Sequence, residues 1–253
     1  MKKLPVALQL YSIREEAEKD FAKTMAKVKS MGYDGVELAG LYGHTPEKIK
    51  ECLNKVGLIP IAAHVSYLEF MADLSATVRK YATIGCQFLV IPYLTEDYRY
   101  GTKKFIEVME NIPMIARECH KEGITLLYHN HDFEYARTKE GSFVLDYMYE
   151  EIPASVLQTE LDTCWIKVAG EEPVEYIRKY SGRCPIVHLK DFVNIPSFDF
   201  RAVGYGVQDF PAILRAAVSA GSQWVVVEQD RHSQYSSLED ADLSKSYLES
   251  IGW

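Results

Sequence analysis

A chain of 253 residues, 47% hydrophobic and 25% charged, has the make-up of a soluble globular protein and the length of one α/β barrel of roughly 250 residues. Its formal net charge of −8 argues against a nucleic-acid partner, because a phosphate backbone demands a concentrated basic face. No apolar run approaches the roughly 20 residues that cross a bilayer, and polar Gln9, Ser12 and Arg14 interrupt the start at once, so no membrane partner is expected.

In chain order, strands are predicted at 6–10, 35–38, 59–64, 88–92, 124–129, 156–162, 185–189 and 224–228. Amphipathic helices alternate with them at 21–31, 46–56, 75–84, 103–120, 143–149, 173–180, 210–220 and 238–250. Thr45 before Pro46, Asp209 before Pro211, and Ser142 before Phe143 read as helix caps. Gly32, Gly57, Gly85 and Gly221 end helices shortly before strands, the cadence of αβ turns. A doubly wound sheet would normally carry a glycine-rich turn after its first strand, and residues 6–12 hold no glycine. The expected fold is therefore a single (β/α)8 TIM barrel spanning 1–253. Five cysteines, odd in number and without a CxxC pair, fit a reducing, cytoplasmic setting.

The chemistry gathers at strand ends. The stretch Tyr128-His129-Asn130-His131-Asp132 closes the fifth strand, and later strands stop at Asp162, at His188-Leu189-Lys190 and at Glu228-Gln229-Asp230. In a barrel those ends converge on one mouth. His129, Asp162, His188 and Glu228 would then form a mixed nitrogen and oxygen donor set for a divalent metal ion, Zn²⁺, Mn²⁺ or Fe²⁺ ahead of Mg²⁺ or Co²⁺. A single acid at a strand end is more often a helix cap, but four successive metal-capable ends are improbable by chance.

His131, two residues beyond His129 on the same strand face, is a candidate acid/base or substrate contact, or else a hydrogen-bonding support for a ligand. Lys190 would bind a substrate oxygen or, with a lowered pKa, transfer protons; a plain salt bridge to Asp191 or Glu228 is the alternative. Arg201 and His64 are candidate substrate contacts, weighed against an exposed arginine and a core histidine. Trp165 and Tyr67 would wall a sugar ring or simply pack. Cys164 has no activating partner and is not a candidate nucleophile.

These blocks resemble the sugar phosphate isomerase/epimerase superfamily of xylose isomerase-like TIM barrels, in the branch with a Tyr-His-Asn-His-Asp-Phe-Glu strand. The resemblance lies in Leu8 through Arg14, Gly32 through Glu37, Tyr128 through Glu134, Glu160 through Trp165, Val187 through Asp191, Gly204 through Phe210 and Val226 through Asp230. It implies metal ligands on strands five to eight, with Asp162, His188 and Glu228 matching directly. His129 stands where epimerases have glutamate, so the paired glutamate bases of an epimerase are not both present; His129 takes the ligand or base role, or Glu134 replaces the carboxylate.

The activity implied is metal-dependent isomerisation or epimerisation of a carbohydrate or polyol carbonyl compound through an enediolate, with catalysis by Glu228, His129, His131 and Lys190. Loss of the paired glutamate makes an alternative a serious contender: a dehydratase or β-elimination lyase on a keto-sugar, keto-inositol or 3-keto-glycoside. A non-catalytic sugar-binding barrel and an endonuclease IV-like nuclease rank lower. The partner is a small sugar or polyol, and the resemblance leaves room for a homo-oligomer.

Overall fold

The structure, a computed structural model, describes residues 3–194 and 197–253. Its centre is a ring of parallel strands: β1 (Val6–Gln9), β2 (Gly35–Leu38), β3 (Ile59–His64), β4 (Phe88–Ile91), β5 (Thr125–His129), β6 (Gln158–Asp162) and β7 (Ile186–Leu189). A small antiparallel hairpin follows, β8 (Asp191–Val193) with β9 (Asp199–Arg201), before the last barrel strand, β10 (Trp224–Val227). β10 pairs with both β7 and β1, with Val6 opposite Val225, and this closes the barrel. The expected (β/α)8 barrel is thus the one observed.

Alternation along each strand sorts the side chains into two shells. One set packs inside the barrel, including Ala7, Ile61, Phe88, Leu127, Ile186 and Val226. The intervening residues, such as Leu126, Leu161 and Val187, join the larger core beneath the helices. Towards the strand C-termini the inner shell changes character: Gln9, Glu37, His129, Glu160, His188 and Glu228 are all buried. The interior therefore runs from an apolar floor to an ionisable mouth.

Gly35 shows how tight the floor is. A Cβ there would lie 2.6 Å from Ile59 O and 3.4 Å from Trp224 Cζ3. Backbone on the next strand cannot yield as a flexible side chain would, so Gly35→Ala is expected to destabilise the protein by about 1–3 kcal/mol. A lowered urea midpoint at unchanged slope would register it, and an unchanged midpoint would show that the floor relaxes.

The helices form where the caps direct. Thr45 accepts from Lys48 N at the start of Pro46–Val56, and Asp209 accepts from Ala212 N at the start of Phe210–Ala220. Ser142 does not cap: Phe143 occupies that position before Val144–Glu151, and Ser142 Oγ bonds Thr138 Oγ1 instead. Three short helices, Arg14–Lys19, Tyr67–Ala72 and Thr163–Val168, and the β8–β9 hairpin lie beyond the predicted elements. They sit in the loops after strands, too short for a periodic pattern to declare them. Among the described residues no helix is long and apolar enough to cross a membrane. All five cysteines are free thiols.

Candidate metal centre and substrate cavity

Strand register gathers the ionisable groups. His129 sits beside Glu160 across β5 and β6, and Asp162 beside His188 across β6 and β7. His129, Asp162, His188 and Glu228 each offer one ligand atom, all within 4.8 Å of one another and all buried. The four residues singled out from scattered strand ends come together.

The donor atoms can be read from what the other atoms already do. Asp162 Oδ1 accepts from Cys164 N and Trp165 N, capping the helix Thr163–Val168. Its Oδ2 is buried without a hydrogen-bond partner, 3.6 Å from His129 Nε2 and 3.4 Å from the Lys190 ammonium. A carboxylate oxygen withdrawn from water and left without a hydrogen bond is costly, and a cation would satisfy it. His129 Nδ1 faces Glu160 Oε1 at 2.9 Å, which leaves Nε2 for a metal. His188 Nε2 faces Glu37 Oε2 at 2.8 Å and Glu160 Oε1 at 3.0 Å, which leaves Nδ1, 3.0 Å from Glu228 Oε2. Each imidazole of the quartet is thus backed by a carboxylate, the arrangement that fixes a ring and raises its basicity.

A second grouping, His64, His129, Glu160 and His188, shares two of these histidines through their opposite nitrogens. There the centre is filled by Glu160 Oε1, 2.7 Å from His64 Nε2 and 2.9–3.0 Å from the other two rings. That geometry is a carboxylate hydrogen-bonded by three imidazoles, and it supports the metal-capable quartet above it.

Electrostatics follow from packing so many acids together. Burial and the neighbouring Glu160 push Glu37 up to about 7. Burial opposes charge on His188, but Glu160 and Glu37 outweigh it and raise its pKa well above the histidine range in the metal-free protein; a cation at Nδ1 would displace the proton there. Burial likewise opposes charge on Lys190, and Glu228, Asp230 and Asp162 overcome it, so its ammonium stays charged well above the usual lysine range. The expectation of a lowered lysine pKa therefore fails: three carboxylates surround this amine, 3.2 Å away at Glu228, 2.8 Å at Asp230 and 3.4 Å at Asp162. Asp191 is not among them. Its carboxylate accepts instead from the backbone N–H groups of Phe192, Gly204, Gly206 and Gln208, tying the following loop under the mouth.

Above the quartet opens a cavity of about 840 Å³ into which His64, His129, His131, Trp165, Lys190 and Glu228 project. Its size suits a sugar with room for a substituent. His131 packs against Phe133 with ring centroids 5.7 Å apart and Trp165 at 5.4 Å, and Tyr93 meets it edge-on at 5.0 Å. His131 lines the cavity, and its Nδ1 is buried without a hydrogen-bond partner. Burial, with His129 and Lys190 nearby, holds this ring well below the histidine range and hence neutral.

Other candidates lie elsewhere. Arg201 does not line the cavity. On β9 its side chain turns to Asp199 and Ser233, while its neighbour Phe200 takes the cavity face, as strand alternation requires. Glu134 does not replace a strand-five ligand either: it accepts from Tyr128 Oη at 2.5 Å and His131 N at 2.8 Å, behind the strand. Tyr67 bonds Asn111 and stands outside the cavity lining. Residues that the sequence reading passed over are Glu37, Glu160, Asp230, Arg14 and Arg231. The first two sit inside strands rather than at their ends, so only strand parity with a known mouth residue would have found them.

Comparison with known proteins fits this architecture. A family model described as xylose isomerase-like TIM barrel matches residues 25–253. An inosose dehydratase of Geobacillus kaustophilus (strain HTA426) is 20% identical over 269 residues, covering 90% of this chain and 86% of its own. A sugar phosphate isomerase/epimerase structure from Parabacteroides distasonis ATCC 8503 superposes with a TM-score of 0.84 at 24% identity, covering 97% of this chain and 98% of that one. An IOLI protein structure with a bound zinc atom gives a TM-score of 0.75 at 16% identity, with 98% of each chain covered.

Proposed function

The chain belongs to the xylose isomerase-like TIM-barrel family, and on that premise we propose that it is a divalent-metal-dependent enzyme that removes a proton α to the carbonyl of a keto-polyol or keto-sugar and lets the enediolate expel a leaving group. The observation that carries this reading is the quartet His129, Asp162, His188 and Glu228, with Asp162 Oδ2 buried without a hydrogen bond, and with His129 and Glu228 opening onto a sugar-sized cavity. Its nitrogen and oxygen donors suit Zn²⁺, Mn²⁺ or Fe²⁺. A cation held there supplies Lewis-acid polarisation of the substrate carbonyl.

The remaining work falls to side chains. His131 Nε2, on a neutral ring, accepts the α-proton as the C–H bond breaks and the enediolate double bond forms. Lys190, the charged amine of the cavity, donates its proton to the departing oxygen as the C–O bond breaks, so the leaving group departs as water or an alcohol. Aromatic walls at Trp165 and Phe200 exclude solvent and hold the ring.

Isomerisation or epimerisation shares the first step and needs a second base on the opposite face. Glu228 would be that base, but its Oε2 already faces His188 Nδ1 and Lys190 Nζ. One free base and one fixed acid suit elimination better, and the inosose dehydratase relative accords with it.

The metal-loaded protein, incubated in deuterated water with an inosose and a panel of ketohexoses, is expected to place deuterium beside the carbonyl of at least one and to release water from it. His131→Asn is expected to slow that exchange by at least about a hundredfold while metal content stays at the native level. Stoichiometric metal with no exchange on any ketone would overturn the reading.

A further inference from the structure

We propose that Arg14 and Arg231 form an anion subsite at the mouth, so that the substrate carries a carboxylate or phosphate substituent; this deepens the proposed function and rests on it. Both arginines line the same cavity as His129 and Glu228 of the metal-capable quartet. Arg14 Nη1 donates to Tyr11 O at 2.8 Å and to Asp230 O at 3.2 Å, and its guanidinium lies 4.2 Å from the Tyr11 ring centroid. The carbonyl it bonds belongs to the peptide that leads into Arg231. Arg231 rests over Phe200, Cζ 5.6 Å from the centroid, and among the described residues its guanidinium has no hydrogen bond or ion pair.

The Arg14 guanidinium therefore bonds the peptide from which the Arg231 side chain departs, and both side chains line the cavity. The acids nearby are committed: Asp230 pairs with Lys190 at 2.8 Å, Glu228 with Lys190 at 3.2 Å, Glu69 with Lys80 at 2.7 Å, and Asp199 with Arg201. Arg14 is fixed by backbone acceptors and by stacking, and its other donors remain open. In a chain of net charge −8, two arginines lining one cavity, neither with an ion pair among the described residues, fit an anion that arrives with the ligand. The spacing suits one small molecule, since the Phe200 ring that supports Arg231 also has Lys190 Nζ 5.2 Å from its centroid. A ketone held at the quartet would extend its charged end past Phe200 to the rim.

Calorimetric titration of the metal-loaded protein with inorganic phosphate tests the subsite without turnover, so it stands apart from failure of the exchange experiment. Native protein is expected to bind phosphate, Arg231→Gln and Arg14→Gln to weaken it roughly tenfold each, and Arg231→Lys to recover part of the loss. Asp162→Asn, which removes a metal-capable ligand, is expected to leave phosphate binding in place. A second titration compares fructose, fructose 6-phosphate and fructuronate; tighter binding of the phosphate ester or of the acid than of the neutral sugar identifies the anion. Absent phosphate binding, binding lost in Asp162→Asn but unaltered in Arg231→Gln, or equal affinity for all three ketoses would each overturn the subsite.

Discussion

Asp162→Asn is expected to lower divalent-metal affinity by more than about a hundredfold and proton exchange by at least about a thousandfold, with little change in stability. The two oxygens of Asp162 do different work, which makes the substitution informative. Oδ1 accepts from Cys164 N and Trp165 N and caps the helix Thr163–Val168, a task asparagine performs as well as aspartate. Oδ2 has no hydrogen bond and faces His129 Nε2, and an amide nitrogen there would present hydrogens to a cation. Asp162→Ala should lose the cap as well, at a further cost of about 1 kcal/mol. Metal content by elemental analysis, set beside denaturant midpoints, separates the two losses. If Asp162→Asn retained a full complement of metal, the quartet would not be the metal centre.

The barrel was legible because strand and helix periods alternate through the chain and because four strands end on metal-capable residues. Asp162, His188 and Glu228 could be assigned as candidates from their positions at strand ends, where the fold brings every C-terminus to one rim. What stayed hidden was the layer beneath. Glu37 and Glu160 are carboxylates within strands β2 and β6, flanked by ordinary strand residues, and nothing local marks them as inward-facing. Their partners are distant in sequence: His188 meets Glu37 across 151 residues. Arg201 went astray for a similar reason. Its loop was expected, its hairpin was not, and the alternation within β9 points Phe200 rather than Arg201 to the cavity.

That hidden layer gives the second large effect. Glu160 is fully buried, and its Oε1 is the shared acceptor for His64 Nε2, His129 Nδ1 and His188 Nε2. Glu160→Leu keeps approximate volume but removes every acceptor, leaving three imidazole nitrogens in a dry interior. The expected cost is about 3–5 kcal/mol, the usual penalty for breaking one side of a buried charged network. Metal affinity should fall as well, by roughly ten- to a hundredfold, because His129 is no longer turned to present Nε2 towards Asp162. Glu160→Gln retains one acceptor and should lose only about 1–2 kcal/mol, since the rings keep a partner but not a charge. Urea midpoints and a metal titration read both quantities from the same preparations. The order native, Gln, Leu in both measurements would place support for the metal centre in this carboxylate. A Glu160→Leu protein as stable as the native chain and as avid for metal would show instead that the rings are positioned by packing alone, and that Glu37 and Glu228 suffice to hold His188.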